Sequence, residues 1–327
     1  MTHVLRHLSA PSVRNSTLPK RAFEGYGLML FCAALICVTA VVSPGFRSPN
    51  NIQNVLTIAA PLGIVVIGQV LVILVRGFDL SMASVMATAA VIATEFGNTS
   101  NFSIAGIVAV TLVMCVCVGL ANGMLITRRR MSPFLATLAT MIVLQGLRFA
   151  WTHGAPSGRV PEALRFVGTG NIAGIPVNVL LLLFLAAGFW LLLRRTAFGR
   201  RVYLVGGSPR GAELVGVNVN RITIACYVLS AVLAGIGGVV LVGYVDGVDN
   251  WVGRGYELDS IVAAVMGGVA LTGGRGSVLG GLVGALLLTV IFNIVLLLGL
   301  PVQFQFVVKG LVIIVAMAML RLGGKSD

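Results

Sequence analysis

The 327-residue sequence predicts an all-α, polytopic membrane protein of about ten transmembrane helices in two inverted halves. Three observations predict it. Hydrophobic residues make up 57% of the chain and charged residues 10%, against about 25% charged in a soluble domain. Several apolar runs exceed the roughly 18 residues that mark a membrane helix candidate. Finally, Gly77-Phe78-Asp79-Leu80-Ser81 is echoed by Gly255-Tyr256-Glu257-Leu258-Asp259, each segment preceding a short apolar run.

The elements follow in order. Residues 1–22 are a polar, basic tail containing Arg6, Arg14, Lys20 and Arg21. The apolar run from Tyr26 is too long for a signal-peptide core and no A-x-A site follows it, so it reads as a retained first helix. Spans are expected at 26–43, 52–75, 81–96, 103–126, 132–151, 178–194, 221–243, 258–272, 277–298 and 303–320. They form one transmembrane domain over 23–322, followed by a short tail, 323–327. Both tails are expected in the cytoplasm. Arg128–Arg130 and the basic loop 195–220 then fall inside, as the positive-inside rule requires. The net charge of +13 is spread over such short loops, so it reads as topology signal and not as a nucleic-acid surface.

Loop 195–220 carries helix punctuation. Ser208 suits an N-cap, Pro209 the first helical position and Gly216 a left-handed stop, which predicts a short helix over about 209–215. Gly276, Gly280 and Gly284 repeat every four residues and predict a stripe for close helix approach.

The echoed pattern is the sharpest functional signal. Each copy opens a span shorter than the roughly 20 residues needed to cross, and paired short segments in two halves point to a solute pathway. Asp79 is read as the N-cap of the span starting at Leu80, with Gly77 supplying a positive-φ turn and Arg76 as a possible counter-charge. Polar side chains inside spans belong to a bundle interior, and Gln69, Asn122, Thr137, Asn293, Gln305 and Lys309 are the path or gate candidates beside Asp79 and Gly77. Any one of them serves equally well as an interhelical hydrogen-bonding group.

Catalysis, metals and cofactors find no support. The histidines are His3, His7 and His153, and the five cysteines all lie inside apolar runs without ligand spacing. Gly323-Gly324-Lys325-Ser326 imitates the tail of a phosphate loop, but Met319 stands where another glycine is needed.

Several motifs together resemble the permease subunits of bacterial monosaccharide ABC importers of the ribose/xylose/arabinose type. They are GFDLS at 77–81, PFLATLATM at 133–141, FGRRVYLVGG at 198–207, VGVNV at 215–219, GYELDSIVAAVMGG from 255, and LTGGRGSVLG ending at 280. The likeness runs from about residue 45 to 320. It implies a permease dimer, of two copies or of paralogues, in the bacterial inner membrane, surrounded by lipid. It implies a separate ABC ATPase and a periplasmic binding protein that delivers a monosaccharide or similar polar solute. It also implies that loop 195–220 is the ATPase-coupling element, with Gly199, Ser208, Pro209, Arg210, Glu213 and Gly216 as its key positions. The sequence departs from the family at Arg76, where glycine or serine is usual, and at Met82-Ala83, where Val-Gly is usual. Within this class an autoinducer or a sugar alcohol is an alternative solute. The inverted echo alone would equally suit a self-sufficient secondary transporter, but the span interiors are nearly free of acids.

Overall fold

The computed structural model describes residues 44–98, 103–301, 303–307, 309–311 and 314. The expected first span, 26–43, and both tails lie outside the described residues, as does the end of the last span. The helices are α1 (Pro49–Leu74), α2 (Met82–Glu95), α3 (Ile104–Thr127), α4 (Pro133–Trp151), α5 (Glu162–Thr169), α6 (Val177–Arg195), α7 (Ala197–Gly207), α8 (Pro209–Leu214), α9 (Val219–Val245), α10 (Tyr256–Met266) and α11 (Val278–Leu297). Residues 303–307 and 309–311 are helical as well. The described strands, Asn171–Ile172 and Ile175–Pro176, form one small antiparallel hairpin between α5 and α6.

Six of these helices (α1, α3, α4, α6, α9 and α11) are long and apolar enough to cross a membrane. Their starts follow local chemistry. Ser48, Ser103, Asn218 and Ser277 each accept a hydrogen bond from a backbone N–H in the first turn of the helix they precede. The helix after the first copy of the echoed pattern and the helix that begins within the second are short. α2 has 14 residues and α10 has 11. At 1.5 Å per residue they span about 21 and 17 Å, less than the roughly 30 Å hydrocarbon core.

α1 is the central element, buried along most of its length, and it packs against α9, α11, α10 and α6. Pro61 interrupts its backbone ladder because proline has no N–H, leaving the Thr57 carbonyl without its usual donor. Buried Asn178 of α6 donates to that carbonyl at 3.0 Å, which repairs the ladder from outside.

α9 runs antiparallel to α3. A Cβ on Gly119 would stand 2.5 Å from the Val228 Cα, and one on Gly123 would stand 2.8 Å from the Ile224 Cα. Glycine is needed there for backbone contact. This pairing places the end of α3, with Arg128–Arg130, beside loop 195–220 at one end of the bundle, here termed the basic end.

The expected glycine stripe is only partly helical. Gly280 and Gly284 lie on α11 where a Cβ would overlap the carbonyls of Gly267 and Ala263. Gly276 instead precedes the helix, at φ 134° and against Val269. Ser277, not the glycine repeat, fixes where α11 begins.

Candidate functional site

The break between α1 and α2 is built from a specific C-terminal motif. Gly77 N donates to the Val72 carbonyl and Arg76 N to the Ile73 carbonyl, both at 2.9 Å. These are the paired bonds of a Schellman motif, which puts the residue before Gly77 in the left-handed region. Arg76 therefore carries the positive φ, 66°, and Gly77 does not. This corrects the sequence expectation. Gly77 serves close approach instead: a Cβ there would overlap the Tyr227 hydroxyl and stand 2.9 Å from Val72 Cγ1.

Asp79 is also not the N-cap. α2 begins at Met82 with Ser81 in the cap position. Asp79 is buried, and its Oδ1 accepts from the Ser81 N–H at 3.0 Å and the Ser81 hydroxyl at 2.6 Å. Its Oδ2 accepts from the Ser230 hydroxyl of α9 at 2.8 Å. Asn122 Nδ2 of α3 donates to Ser81 Oγ at 2.9 Å, and the Thr140 hydroxyl of α4 donates to Asn122 Oδ1 at 2.6 Å. Donors thus run from α4 through α3 to the carboxylate, each bond polarising the next. The knot ties the broken segment to three helices. The Phe78 carbonyl adds a fourth contact by accepting from Tyr227 Oη at 3.1 Å. Thr137 lies beside it but bonds chiefly its own helix, at the Pro133 carbonyl, 2.8 Å.

Arg76 leaves the knot altogether. Its Nε and Nη2 donate to the carbonyls of Gly206 and Gly207, each at 2.6 Å, so it does not balance Asp79. A cation on the last carbonyls of α7 complements both the free acceptors and the helix dipole. Gly274 N donates to the Leu74 carbonyl at 2.9 Å in the same place. Three segments (74–77, 206–207 and 273–274) therefore meet where α1 breaks.

α8 follows at once. Ser208 Oγ accepts from Gly211 N at 3.1 Å, Pro209 opens the helix and Gly216 ends it at φ 79°. Arg210 and Glu213 are exposed, and Leu214 and Val215 are 88% and 68% exposed. Gly199 sits in the first turn of α7, where a Cβ would overlap the Leu193 carbonyl of α6.

The remaining candidates scatter. Gln69 is fully buried in α1, and neither amide atom has a partner among the described residues. Asn293 exchanges two hydrogen bonds with Asn51, 3.1 and 2.9 Å, at the end away from the basic loops. Lys309 forms a largely buried ion pair with Asp259 of α10 at 2.7 Å and lies over Phe292 and Phe306. Gln305 is half-buried and makes no hydrogen bond among the described residues.

None of these lines the notable cavity, of about 240 Å³, which lies between α2, α4 and the segment before α10. Its lining includes Gln145, Arg148, Asn250 and Trp251. Sequence analysis assigned no role to Arg148 or Ser230 and named Ser81 only as a member of the echoed pattern. A lone serine inside an apolar span was the available signal for Ser230.

The model of the family described as branched-chain amino acid transport system / permease component matches residues 51–317. The chain belongs to this permease family. The permease is 35% identical over 299 residues to the ribose import permease protein of Bacillus subtilis, covering 88% of this chain and 89% of that protein. It is 30% identical over 327 residues to the galactose/methyl galactoside import permease protein of Escherichia coli, covering 93% and 97%. It is 32% identical over 317 residues to the L-arabinose ABC transporter permease protein of Azospirillum brasilense, covering 94% and 93%. No solved structure matches the chain. The permease is thus a multi-pass membrane component of a transport system.

Proposed function

We propose that this permease forms the translocation path of an ATP-driven monosaccharide importer. A periplasmic binding protein delivers the sugar, a separate ATPase supplies the energy, and two permease subunits assemble in the membrane. The observation that carries the sugar reading is the set of ribose, galactose and arabinose permeases that align over most of the chain. Their names also favour a coupled importer over a self-sufficient secondary transporter.

In this reading residues 23–322 are the permease domain, the tails 1–22 and 323–327 and the basic end face the cytoplasm, and loop 195–220 docks the ATPase. The basic loops support that orientation. The short helix α8, with Leu214 and Val215 held out into solvent, supports docking. Motion at α8 reaches the membrane through Gly206, Gly207 and Arg76.

The test uses the permease co-reconstituted with an ATPase and a binding protein of the same transport system. Glu213→Arg and Gly216→Pro are each expected to reduce uptake and stimulated ATP hydrolysis while the protein still inserts. Unchanged uptake in both variants would remove the docking role. Concentrative uptake by the permease alone under a proton gradient would remove the ATP-driven reading.

A further inference from the structure

We infer that the cavity between α2, α4 and residues 250–257 is a built site that holds one neutral sugar ring during passage. The inference rests on the proposed sugar import and deepens it, because it names a place and a set of contacts.

The floor is preorganised. Arg148 is 4% exposed, and its Nη1 donates to the Ser84 carbonyl and Thr88 Oγ1, both at 3.3 Å. Its Nη2 donates to the Asn250 carbonyl at 2.8 Å. Asn250, 3% exposed, is fixed in turn by Nδ2 bonds to Thr152 Oγ1 at 3.1 Å and the Gly154 carbonyl at 3.0 Å. Arg148 Nε and Asn250 Oδ1 have no partner among the described residues, but both atoms are closed to solvent, so these two residues brace the floor and leave ligand contacts to the walls.

The walls supply the rest. Trp251 is held edge-on against Phe149 at 5.5 Å and under the Arg254 guanidinium at 4.9 Å. Gln145 makes no hydrogen bond among the described residues. Glu257 accepts from Gly255 N through Oε2 at 2.8 Å. Ala83, Ala87 and Met141 complete an apolar side.

This chemistry selects the ligand class. The amide of Gln145 can donate or accept, the Glu257 carboxylate accepts, and an indole ring offers a flat face. A sugar hydroxyl both donates and accepts, and a sugar's C–H face suits aromatic and aliphatic walls. An anion fits poorly, because both Nη atoms of Arg148 are already bonded to protein, Arg254 stacks on Trp251, and Glu257 opposes negative charge. The volume, about 240 Å³, falls below the roughly 300–1,000 Å³ of drug-sized sites, which suits one ring and not a disaccharide. A station on a path must also release its solute, so affinity is expected on the order of 1 mM.

The experiment titrates D-ribose, L-arabinose and D-galactose against the full permease in lipid nanodiscs, read by saturation-transfer NMR. At least one sugar is expected to bind. Gln145→Leu and Trp251→Ala are expected to weaken it about fivefold or more, while Gln303→Leu, an exposed position outside the cavity, leaves it unchanged. Absence of binding by all three sugars overturns the inference, and so does binding that both cavity variants leave intact. ATP-driven uptake by the assembled importer separates the two levels. If uptake of one of these sugars occurs with unchanged KM and kcat in both cavity variants, the site is wrong and the proposed function stands. If the assembled system imports none of the three, the sugar reading falls and the site falls with it.

Discussion

Replacing Arg76 separates two roles that the structure superimposes on one residue. The side chain makes two hydrogen bonds of 2.6 Å from a charged donor to the Gly206 and Gly207 carbonyls. Bonds to charged groups contribute about 1.5–3 kcal/mol each when buried, and solvent at this exposed residue reduces that to about 1 kcal/mol each. The backbone meanwhile sits at φ 66°, which costs a non-glycine residue roughly 1 kcal/mol. Arg76→Ala loses both bonds and keeps the strain, a net loss of about 2 kcal/mol. Arg76→Gly loses the bonds but relieves the strain, a net loss of about 1 kcal/mol. Arg76→Lys keeps the charge and one bond, again a loss of about 1 kcal/mol. Resistance to heating in detergent should therefore rank arginine above glycine and lysine, with alanine last. Coupling has a different order if Arg76 transmits motion from α8. ATP-driven uptake per ATP hydrolysed should fall to the same low level in glycine and alanine and recover partly in lysine. If coupling instead follows the stability order, with glycine performing like lysine, Arg76 is a structural cap and the transmission argument is refuted.

Other perturbations test the knot and its neighbours. Asp79→Asn keeps an acceptor for Ser81 and should retain folded yield and most uptake. Asp79→Ala orphans buried donors at about 1–3 kcal/mol each and should lower both; equal inactivity of the two variants would mean that the charge itself is required. Gly77→Ala should destabilise the permease by about 1–3 kcal/mol through overlap with the Tyr227 hydroxyl, and Tyr227→Phe in the same chain should restore much of the loss. No restoration would show that the crowding lies elsewhere. Lys309→Met or Asp259→Asn alone should lower the midpoint of thermal unfolding more than the two together, since each single change leaves a largely buried charge unpaired. Additive losses would remove the ion pair as their cause.

The long helices were legible because lipid permits few alternatives to a continuous apolar run, and the serine and asparagine caps mark where most runs begin. The short helix α8 was legible for the same local reason, through Ser208, Pro209 and Gly216. The contacts that make the break distinctive were not. Arg76 reaches a partner 130 positions away and Asp79 one 151 away, separations that no local pattern encodes. Intrinsic cost assigned the left-handed residue to Gly77, the one glycine available. Tertiary structure overrode that choice, because the Gly206 and Gly207 carbonyls compensate a strained arginine while Tyr227 occupies the space that a Cβ at residue 77 would need.

The echoed pattern shows the limit of such reading most clearly. Each copy adjoins a short helix, but the first lies before its helix while the second, from Tyr256 on, lies inside it. α2 starts at Met82, five residues past Gly77, whereas α10 starts at Tyr256, one residue past Gly255. Gly255 takes the positive φ that Gly77 does not, and Glu257 folds back on its own glycine N–H. The acid that reaches a distant helix in the second copy is therefore Asp259, at the position that Ser81 holds in the first. In the first copy a carboxylate is satisfied by hydroxyls and binds the break rigidly to α9. In the second it meets Lys309, a partner on the last described helical segment. A shared pattern thus sets where the chain shortens its helices, while the neighbours of each copy decide which side chain links that short helix to the rest of the bundle.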